Sequence, residues 1–307
     1  MWRPRGERLM PLIVGIDENG YGPVMGPLVA TAVGVKVESQ KALDLKAVRA
    51  CSSGLPVDDS KRLFRSRKRS RGEEAALALL ESIGLRPSDF GSLLEGLLPS
   101  GIESLRRFCC GDLRFCFKEL PLPVWCKAPK ELVLGAEVCF IKLTVACPKR
   151  FNLLLRRLKR KALVDLYLFS ELWEALPRGE WEVLCGKVGG MCRYGKALEA
   201  LGWEVFLVLS EKGEESSYVV ARGEKKITVR FIKDADEKLL PVAAASIIGK
   251  YVRELSMTSI LEALSGLLGE KVEVSGYRDE RTMRILERVK GALPRLGLSY
   301  DCLIRAK

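Results

Sequence analysis

The feature that most constrains the fold is a short apolar run that ends on two acids and is followed at once by glycines. Residues 12–17 are rich in β-branched side chains, which is typical of a buried strand. The run ends on Asp17 and Glu18, and Gly20, Gly22 and Gly26 then lead into a second apolar run at 28–37. This pattern predicts an initial β-hairpin whose glycine turn lies beside two carboxylates.

The rest of the chain alternates between strand and helix patterns. Further strands are predicted at 138–145, 181–185, 204–209 and 226–232. Helices are predicted at 73–83, 149–176, 194–201, 240–264 and 279–289. An initial hairpin followed by this alternation indicates an α/β layer architecture. We predict a core over residues 1–262, interrupted by an insertion at about 84–135, and a helical C-terminal extension over 263–307 packed on the core.

The charge balance indicates a polyanionic partner. Lys and Arg number 51 against 39 Asp and Glu, which gives a formal net charge of +12. Each phosphate that a basic side chain neutralises releases condensed counterions, so nucleic acid is the natural candidate. The basic residues crowd two segments, 61–71 and 156–161. The alternative interpretation of these segments is a pair of solvated helix faces.

Several classes of protein are excluded or disfavoured by composition. The 307 residues include no histidine, so His-based triads and His-ligated zinc are excluded and hydrolysis would require carboxylates, metal ions or lysine. The ten cysteines lack Cys-x-x-Cys spacing and are predicted to be mostly reduced core residues, although an irregular zinc site at 109, 110, 116 and 126 is an alternative. No apolar stretch reaches the roughly 20 residues of a membrane span, and no signal-peptide pattern begins the chain. We therefore expect a cytoplasmic protein with no membrane association and no organic cofactor.

Two acidic segments are candidate sites. Burying Asp17 and Glu18 without a cation is costly, and the adjacent glycines allow a phosphate or ribose to approach the backbone. The alternative is a turn with solvated acids. Asp234 and Asp236 are predicted to close a strand on one face, about 7 Å apart, before an alanine-rich helix that can pack closely on the sheet. The alternative for this pair is an acidic helix start.

Taken together, the motifs resemble the type 2 ribonuclease H family, and are ribonuclease HII-like. The matching residues occur in the family's order and approximate spacing: Asp17-Glu18 with Gly20-x-Gly22-Pro23, Asp59-Ser60-Lys61, Asp236 ten residues before Ser246, and Ser275-Gly276-Tyr277 with Thr282. The resemblance covers the N-terminal segment and roughly residues 140–290. It implies a ribonuclease H-like fold, with a central mixed sheet flanked by helices.

The resemblance also implies an activity and its residues. Asp17, Glu18 and Asp236 match catalytic acids that hold Mg²⁺ or Mn²⁺ ions, with Asp234 a further candidate ligand. The implied substrate is RNA in an RNA–DNA hybrid or a ribonucleotide-containing duplex. The residues that match substrate-binding positions are Gly20, Tyr21, Gly22, Ser60, Lys61, Lys250 and Tyr277. The two glycines match a loop that senses the ribose 2′-hydroxyl through its backbone, and Tyr277 matches a tyrosine that stacks near the scissile junction.

Two positions depart from the family pattern. Gly186 stands where the third aspartate should end the strand at 181–185, and Tyr21 stands where arginine is usual. Glu182 lies about 13 Å from Gly186 along the strand, too far to replace the acid, so Asp234 is the first substitute to test. Two hypotheses remain: a metal-dependent endoribonuclease of reduced activity, and an inactive homologue that binds nucleic acid. A third makes the 84–135 insertion a protein-docking platform.

Overall fold

The computed structural model describes residues 12–51, 57, 60–64, 69–107, 115–127, 136–177 and 179–306. The strands within these ranges are β1 (Leu12–Asn19), β2 (Leu28–Lys36), β3 (Glu137–Ala146), β4 (Trp181–Gly186), β5 (Glu204–Glu211), β6 (Glu215–Arg222) and β7 (Lys225–Ile232). The helices are α1 (Leu45–Cys51), α2 (Ser60–Leu63), α3 (Arg69–Glu81), α4 (Phe90–Leu97), α5 (Glu103–Arg106), α6 (Pro148–Leu158), α7 (Lys161–Glu174), α8 (Gly195–Ala200), α9 (Ala235–Lys238), α10 (Leu240–Leu268) and α11 (Glu280–Lys290).

All seven strands form one mixed sheet in the order β3-β2-β1-β4-β7-β6-β5. The predicted hairpin is confirmed, because β1 and β2 are antiparallel. Strand β4 lies parallel to both β1 and β7, so the carboxyl ends of these three strands meet at one edge of the sheet. Helices flank the sheet, and the C-terminal part is helical. The predicted α/β architecture, with a central mixed sheet flanked by helices and a helical C-terminal part, is therefore confirmed.

Alternation along β1 determines which layer each side chain meets. Ile13 packs in the core beneath α10, and a Cβ atom added to Gly15 would lie 2.1 Å from the backbone carbon of Pro241 in that helix. Val14 and Ile16 pack instead in the core beneath α7. Because strand side chains alternate between faces, Asp17 follows the α10 side and Glu18 the α7 side.

Helix α10 approaches the sheet closely, as its alanine-rich sequence predicts. The tight contact at Gly15 leaves no room for any side chain there. A Cβ atom at Gly249 would lie 2.8 Å from Thr31 Oγ1 and 2.9 Å from Asn19 Nδ2. These two glycines bring α10, and the polar residues it carries, against the end of β1.

Three details of the predicted helices and strands differ from the structure. The single helix predicted at 149–176 is two helices, because Lys159 takes a left-handed conformation (φ 64°) that ends α6 and Arg160 is extended before α7. The strand predicted to end on Asp234 and Asp236 stops at Ile232. Asp234 is left-handed (φ 53°) and Asp236 lies in α9, so the two acids do not share a strand face. Strand β6 is absent from the sequence-based prediction.

The segment predicted as an insertion contributes to the main core where it is described. Phe90 and Leu94 of α4 belong to the same apolar cluster as Ile247 of α10. Helix α4 begins with a capping box between Asp89 and Ser92. The domain division stays a prediction, although α10 runs through its 262/263 boundary to Leu268. Several residues singled out in the sequence lie outside the described ranges: Asp59, Arg65, Arg67, Lys68, Cys109 and Cys110.

A buried carboxylate ties part of this segment to α10. Glu73 is fully buried and accepts hydrogen bonds from the backbone amides of residues 124–126 and from the Tyr251 hydroxyl. Glu73→Ala should lower the free energy of unfolding by about 3–5 kcal/mol, since it strands several buried donors at once. Urea denaturation measures the change. Tyr251→Phe is the control and should cost about 1 kcal/mol. Equal losses in the two variants would contradict this role.

Candidate functional site

Asp17 lies at the carboxyl end of β1 and is held from α10. Its side chain is 8% exposed and accepts a hydrogen bond from the Ser246 side chain. The Ser246 hydroxyl lies 3.0 Å from the Ser60 hydroxyl, and Asn19 Nδ2 donates to the Ser246 carbonyl over 3.1 Å. Ser60, predicted to bind substrate, is itself buried. Its contact with Ser246 orients the serine that orients Asp17.

The predicted acids influence one another through space. Burial, followed by repulsion from Asp236, raises the pKa of Asp17 to about 7. Burial, followed by repulsion from Asp165 and Asp17, raises the pKa of Glu18 well above its ordinary value. The ammonium nitrogen of Lys61 lies 3.7 Å from Asp236 Oδ2. The fold therefore brings Asp17, Glu18 and Asp236 to one edge of the sheet.

Gly186 faces this group of acids. The β1–β4 register pairs Ile16 with Cys185, which sets Gly186 beside Asp17. A Cβ atom at position 186 would lie 3.4 Å from Asp17 Oδ1 and 4.0 Å from Glu18 Oε2. A carboxylate at position 186 would therefore join Asp17 and Glu18, as the strand-end alignment predicts.

Asp165 is an acid that the sequence reasoning missed. It lies in α7, is completely buried, and neither carboxylate oxygen has a hydrogen-bond partner. Burial, followed by repulsion from Asp17, raises its pKa to about 8. One signal was available: Asp165 stands four residues before Phe169 and seven before Leu172, on the apolar stripe that buries the helix.

The glycine loop after β1 is joined to the loop that carries Tyr277. The backbone amides of Val24 and Met25 donate to the Gly276 carbonyl over 2.8 and 3.0 Å. A Cβ atom at Gly22 would lie 3.0 Å from the Tyr277 ring, and Tyr277 is 55% exposed. The two predicted substrate-binding segments therefore form one surface.

A buried arginine supports the glycine loop from behind. Arg305 donates to the carbonyl oxygens of Gly20 and Pro23, and Gly20 itself is left-handed (φ 98°). Burial, followed by repulsion from Arg253, lowers the pKa of Arg305 to about 9. Arg305 belongs to no motif, so the sequence alone offered no signal for this role.

Tyr21 connects the glycine loop to the second basic segment. The ammonium nitrogen of Lys161 lies 4.3 Å from the centre of the Tyr21 ring. A Cβ atom at Gly189 would lie 3.0 Å from the Tyr21 hydroxyl, so this side chain also meets the loop after β4. Arg156, Arg157, Lys159 and Arg160 are exposed on the adjoining end of α6 and its turn. A basic surface therefore adjoins the acids and the glycine loop.

Two other predicted residues have contacts of a different kind. Lys250 forms an ion pair with Glu254 over 2.9 Å, and Glu254 also pairs with Arg69 over 3.2 Å. Asp234 is exposed, and the pKa of the neighbouring Lys233 is raised first by its hydrogen bond to Glu214 and less by the charge of Asp234. These contacts give Asp234 no described link to Asp17 or Glu18.

The donor chemistry of the site suits a hard divalent cation. Carboxylate oxygens are the ligands that Mg²⁺ and Mn²⁺ prefer, and the two unpartnered oxygens of Asp165 are buried beside them. Within the described ranges, no three His, Cys, Asp or Glu side chains are already arranged to hold an ion. No helix in the same ranges is long and apolar enough to cross a membrane.

Solved structures similar to this chain include ribonucleases described as HII, H2 and H3. They include the ribonuclease HII of Archaeoglobus fulgidus in its complex with PCNA (20% identity, TM-score 0.47, 96% of this chain and 94% of that one). Ribonuclease H2 from Pyrococcus horikoshii OT3 aligns at 17% identity and a TM-score of 0.49, over 95% and 92%. Aquifex aeolicus ribonuclease H3 aligns at 17% and 0.46, over 95% and 71%. No protein-family model and no curated protein matches the chain.

Proposed function

We propose that the protein is a divalent-metal-dependent endoribonuclease that cleaves RNA in RNA–DNA hybrids. The observation that carries the proposal is the meeting of Asp17, Glu18 and Asp236 at one sheet edge, where burial and mutual repulsion raise the pKa values of the first two. The sequence motifs that resemble type 2 ribonucleases H supply these same acids. Carboxylates held together against repulsion indicate a cation-binding site.

The acids would hold Mg²⁺ or Mn²⁺, which activates water and stabilises the leaving oxygen of a phosphodiester. Ser246 fixes the Asp17 carboxylate by its hydrogen bond. Lys61 balances the charge of Asp236 and leaves 74% of its own side chain exposed, within reach of a phosphate. Each of these side chains acts by holding a carboxylate or an anion in place.

Recognition of the hybrid belongs to the surface beside the acids. The backbone of the Gly20–Gly22 turn is the candidate reader of the ribose 2′-hydroxyl, and the exposed Tyr277 ring is available to stack on a base or sugar. The basic end of α6 provides contacts for the phosphates of the duplex. Arg305 keeps the loop in register through its two carbonyl contacts.

A second function is favoured by Gly186. The β4 end contributes no acid beside Asp17, which would suit a homologue that binds hybrid duplex without cleaving it. The basic surface alone would support this activity, with affinity that falls steeply as salt rises.

Cleavage of a labelled hybrid separates the two functions. The wild-type protein is incubated with an end-labelled RNA–DNA hybrid in Mg²⁺ or Mn²⁺, and duplex DNA of the same sequence is the control. We expect the RNA strand alone to be cut, and EDTA to stop the reaction. Salt-sensitive binding without any cutting would support the inactive homologue, and neither binding nor cutting would reject both functions. A DNA duplex with a single embedded ribonucleotide is assayed in parallel, because Tyr21 stands where arginine is usual in the family that the sequence resembles.

A further inference from the structure

We propose that Asp165 supplies the acidic charge that Gly186 lacks, and thereby completes the metal-binding site from the opposite face of the sheet. The inference rests on the proposed function, because it assigns a further residue to the same site. It differs from the sequence-based expectation, which gave this role to Asp234.

Asp165 lies near the carboxyl end of β1. It lies in the first turns of α7, whose Leu166 and Phe169 pack in one cluster with Val14 and Ile16 of β1. Glu18 follows these residues on the same face of the strand. After burial, repulsion from Asp165 is the largest cause of the raised pKa values of Glu18 and Tyr21, and repulsion from Asp17 has the same place for Asp165. Asp165 is thus adjacent to the ends of β1 and the glycine loop.

The surroundings of Asp165 leave its carboxylate without a described partner. Its side chain is completely buried, yet neither oxygen accepts a hydrogen bond. A buried, charged carboxylate without partners is strongly disfavoured unless it takes up a proton or meets a cation. The charges of Lys161 and Arg305 act on Asp165, but neither group forms a described ion pair with it. Lys161 lies over the Tyr21 ring, and Arg305 uses one nitrogen for Gly20 and Pro23 while its other two have no hydrogen-bond partner. Among the described residues, therefore, no cation pairs with Asp165, and a metal ion is the partner that its burial lacks.

Gly186 leaves room for an acid from α7. Without a side chain, position 186 leaves open the space beside Asp17 Oδ1 and Glu18 Oε2. An acid that enters from α7 can therefore share an ion with Glu18 without meeting a carboxylate from β4. The missing acid and the extra buried acid are thus two parts of one rearrangement of the same site.

Binding of Mn²⁺ alone to the full chain tests the proposal without any substrate. Free Mn²⁺ is measured by electron paramagnetic resonance as the wild type, Asp165→Asn, Asp17→Asn and Asp234→Asn are titrated. Asp301→Asn, which removes a half-exposed acid with a weak contact to Arg156, is the matched control. Asp165→Asn should weaken binding at least about tenfold, while Asp301→Asn should change it less than about twofold. Adding Gly186→Asp to Asp165→Asn should recover most of the lost affinity.

The outcomes separate this proposal from the one on which it rests. If Asp17→Asn weakens Mn²⁺ binding and Asp165→Asn does not, the metal site stands and the role of Asp165 is wrong. A loss confined to Asp234→Asn would also overturn it. If the wild type binds no Mn²⁺, both proposals fail. In EDTA, Asp165→Asn should melt at the same or a higher temperature than the wild type, and a variant that does not fold would show that Asp165 is structural.

Discussion

Asp17→Asn should reduce cleavage of the hybrid by at least about 1,000-fold, which corresponds to about 4 kcal/mol of transition-state stabilisation. Asp17 accepts a hydrogen bond from Ser246 on α10, faces the open position at Gly186 and is repelled by the charge of Asp236. Asparagine has nearly the same shape and keeps an oxygen that can accept the Ser246 hydrogen bond. The substitution therefore removes charge while it preserves packing. The initial rate of RNA cutting at saturating Mg²⁺ is the measurement.

Two controls give this result its meaning. Affinity for the uncut hybrid should change only a few-fold, since the basic surface and Tyr277 are untouched. The melting temperature in EDTA should not fall, because burial already raises the pKa of Asp17 and makes its charge unfavourable. If Asp17→Asn keeps more than a tenth of the wild-type rate, the assignment of Asp17 is wrong.

The sequence predicts the apolar strands of the sheet better than the more polar strand β6. Strands β1 and β2 are apolar on both faces, and this pattern survives without knowledge of the fold. Strand β6 contains Ser216 and Ser217, which are buried by pairing with β5 and β7 rather than by their own hydrophobicity. The break at Lys159 was missed for a related reason. A left-handed residue other than glycine is stabilised by the packing of α6 and α7, which local sequence does not reveal.

The same limit applies to the site. Asp17 and Glu18 could be chosen because each element of their signal is local: a buried strand, an acid pair and glycines. Asp165 belongs to a different helix, and its relevance depends on the face that α7 turns to the sheet. Arg305 supports Gly20 from 285 residues away along the chain. The topology decides which distant residues meet, so a single sequence can indicate candidate acids but not which of them lie together.

If Gly186 stands in place of an aspartate, as the resemblance implies, that replacement opens the space beside Asp17 Oδ1. If Asp165 were an ordinary core residue, the site would have one acid fewer and a buried carboxylate would remain without a partner. The two observations account for each other if the charge has moved from β4 to α7.

Gly186→Asp should therefore have an effect that depends on residue 165. In Asp165→Asn, adding Gly186→Asp should raise the rate of hybrid cleavage about 100-fold, because it restores an acid beside Asp17 Oδ1. In the wild type the same substitution should change the rate less than about tenfold, since Asp165 already supplies the charge and a further carboxylate adds repulsion. The difference amounts to a coupling free energy of at least about 1.4 kcal/mol between two residues on opposite faces of the sheet.

The cycle needs a control at an exposed glycine that is remote from the acids. Gly266 serves, because a Cβ atom there meets nothing within 4 Å and because it lies 20 residues beyond Ser246 along α10. Gly266→Asp should change the rate equally little with Asp or Asn at position 165. If Gly186→Asp instead raises the wild-type rate 100-fold or more, the natural protein is an enzyme weakened by its glycine, and Asp165 does not replace the acid. If the gain is the same in both backgrounds, the two positions act independently and the charge has not moved.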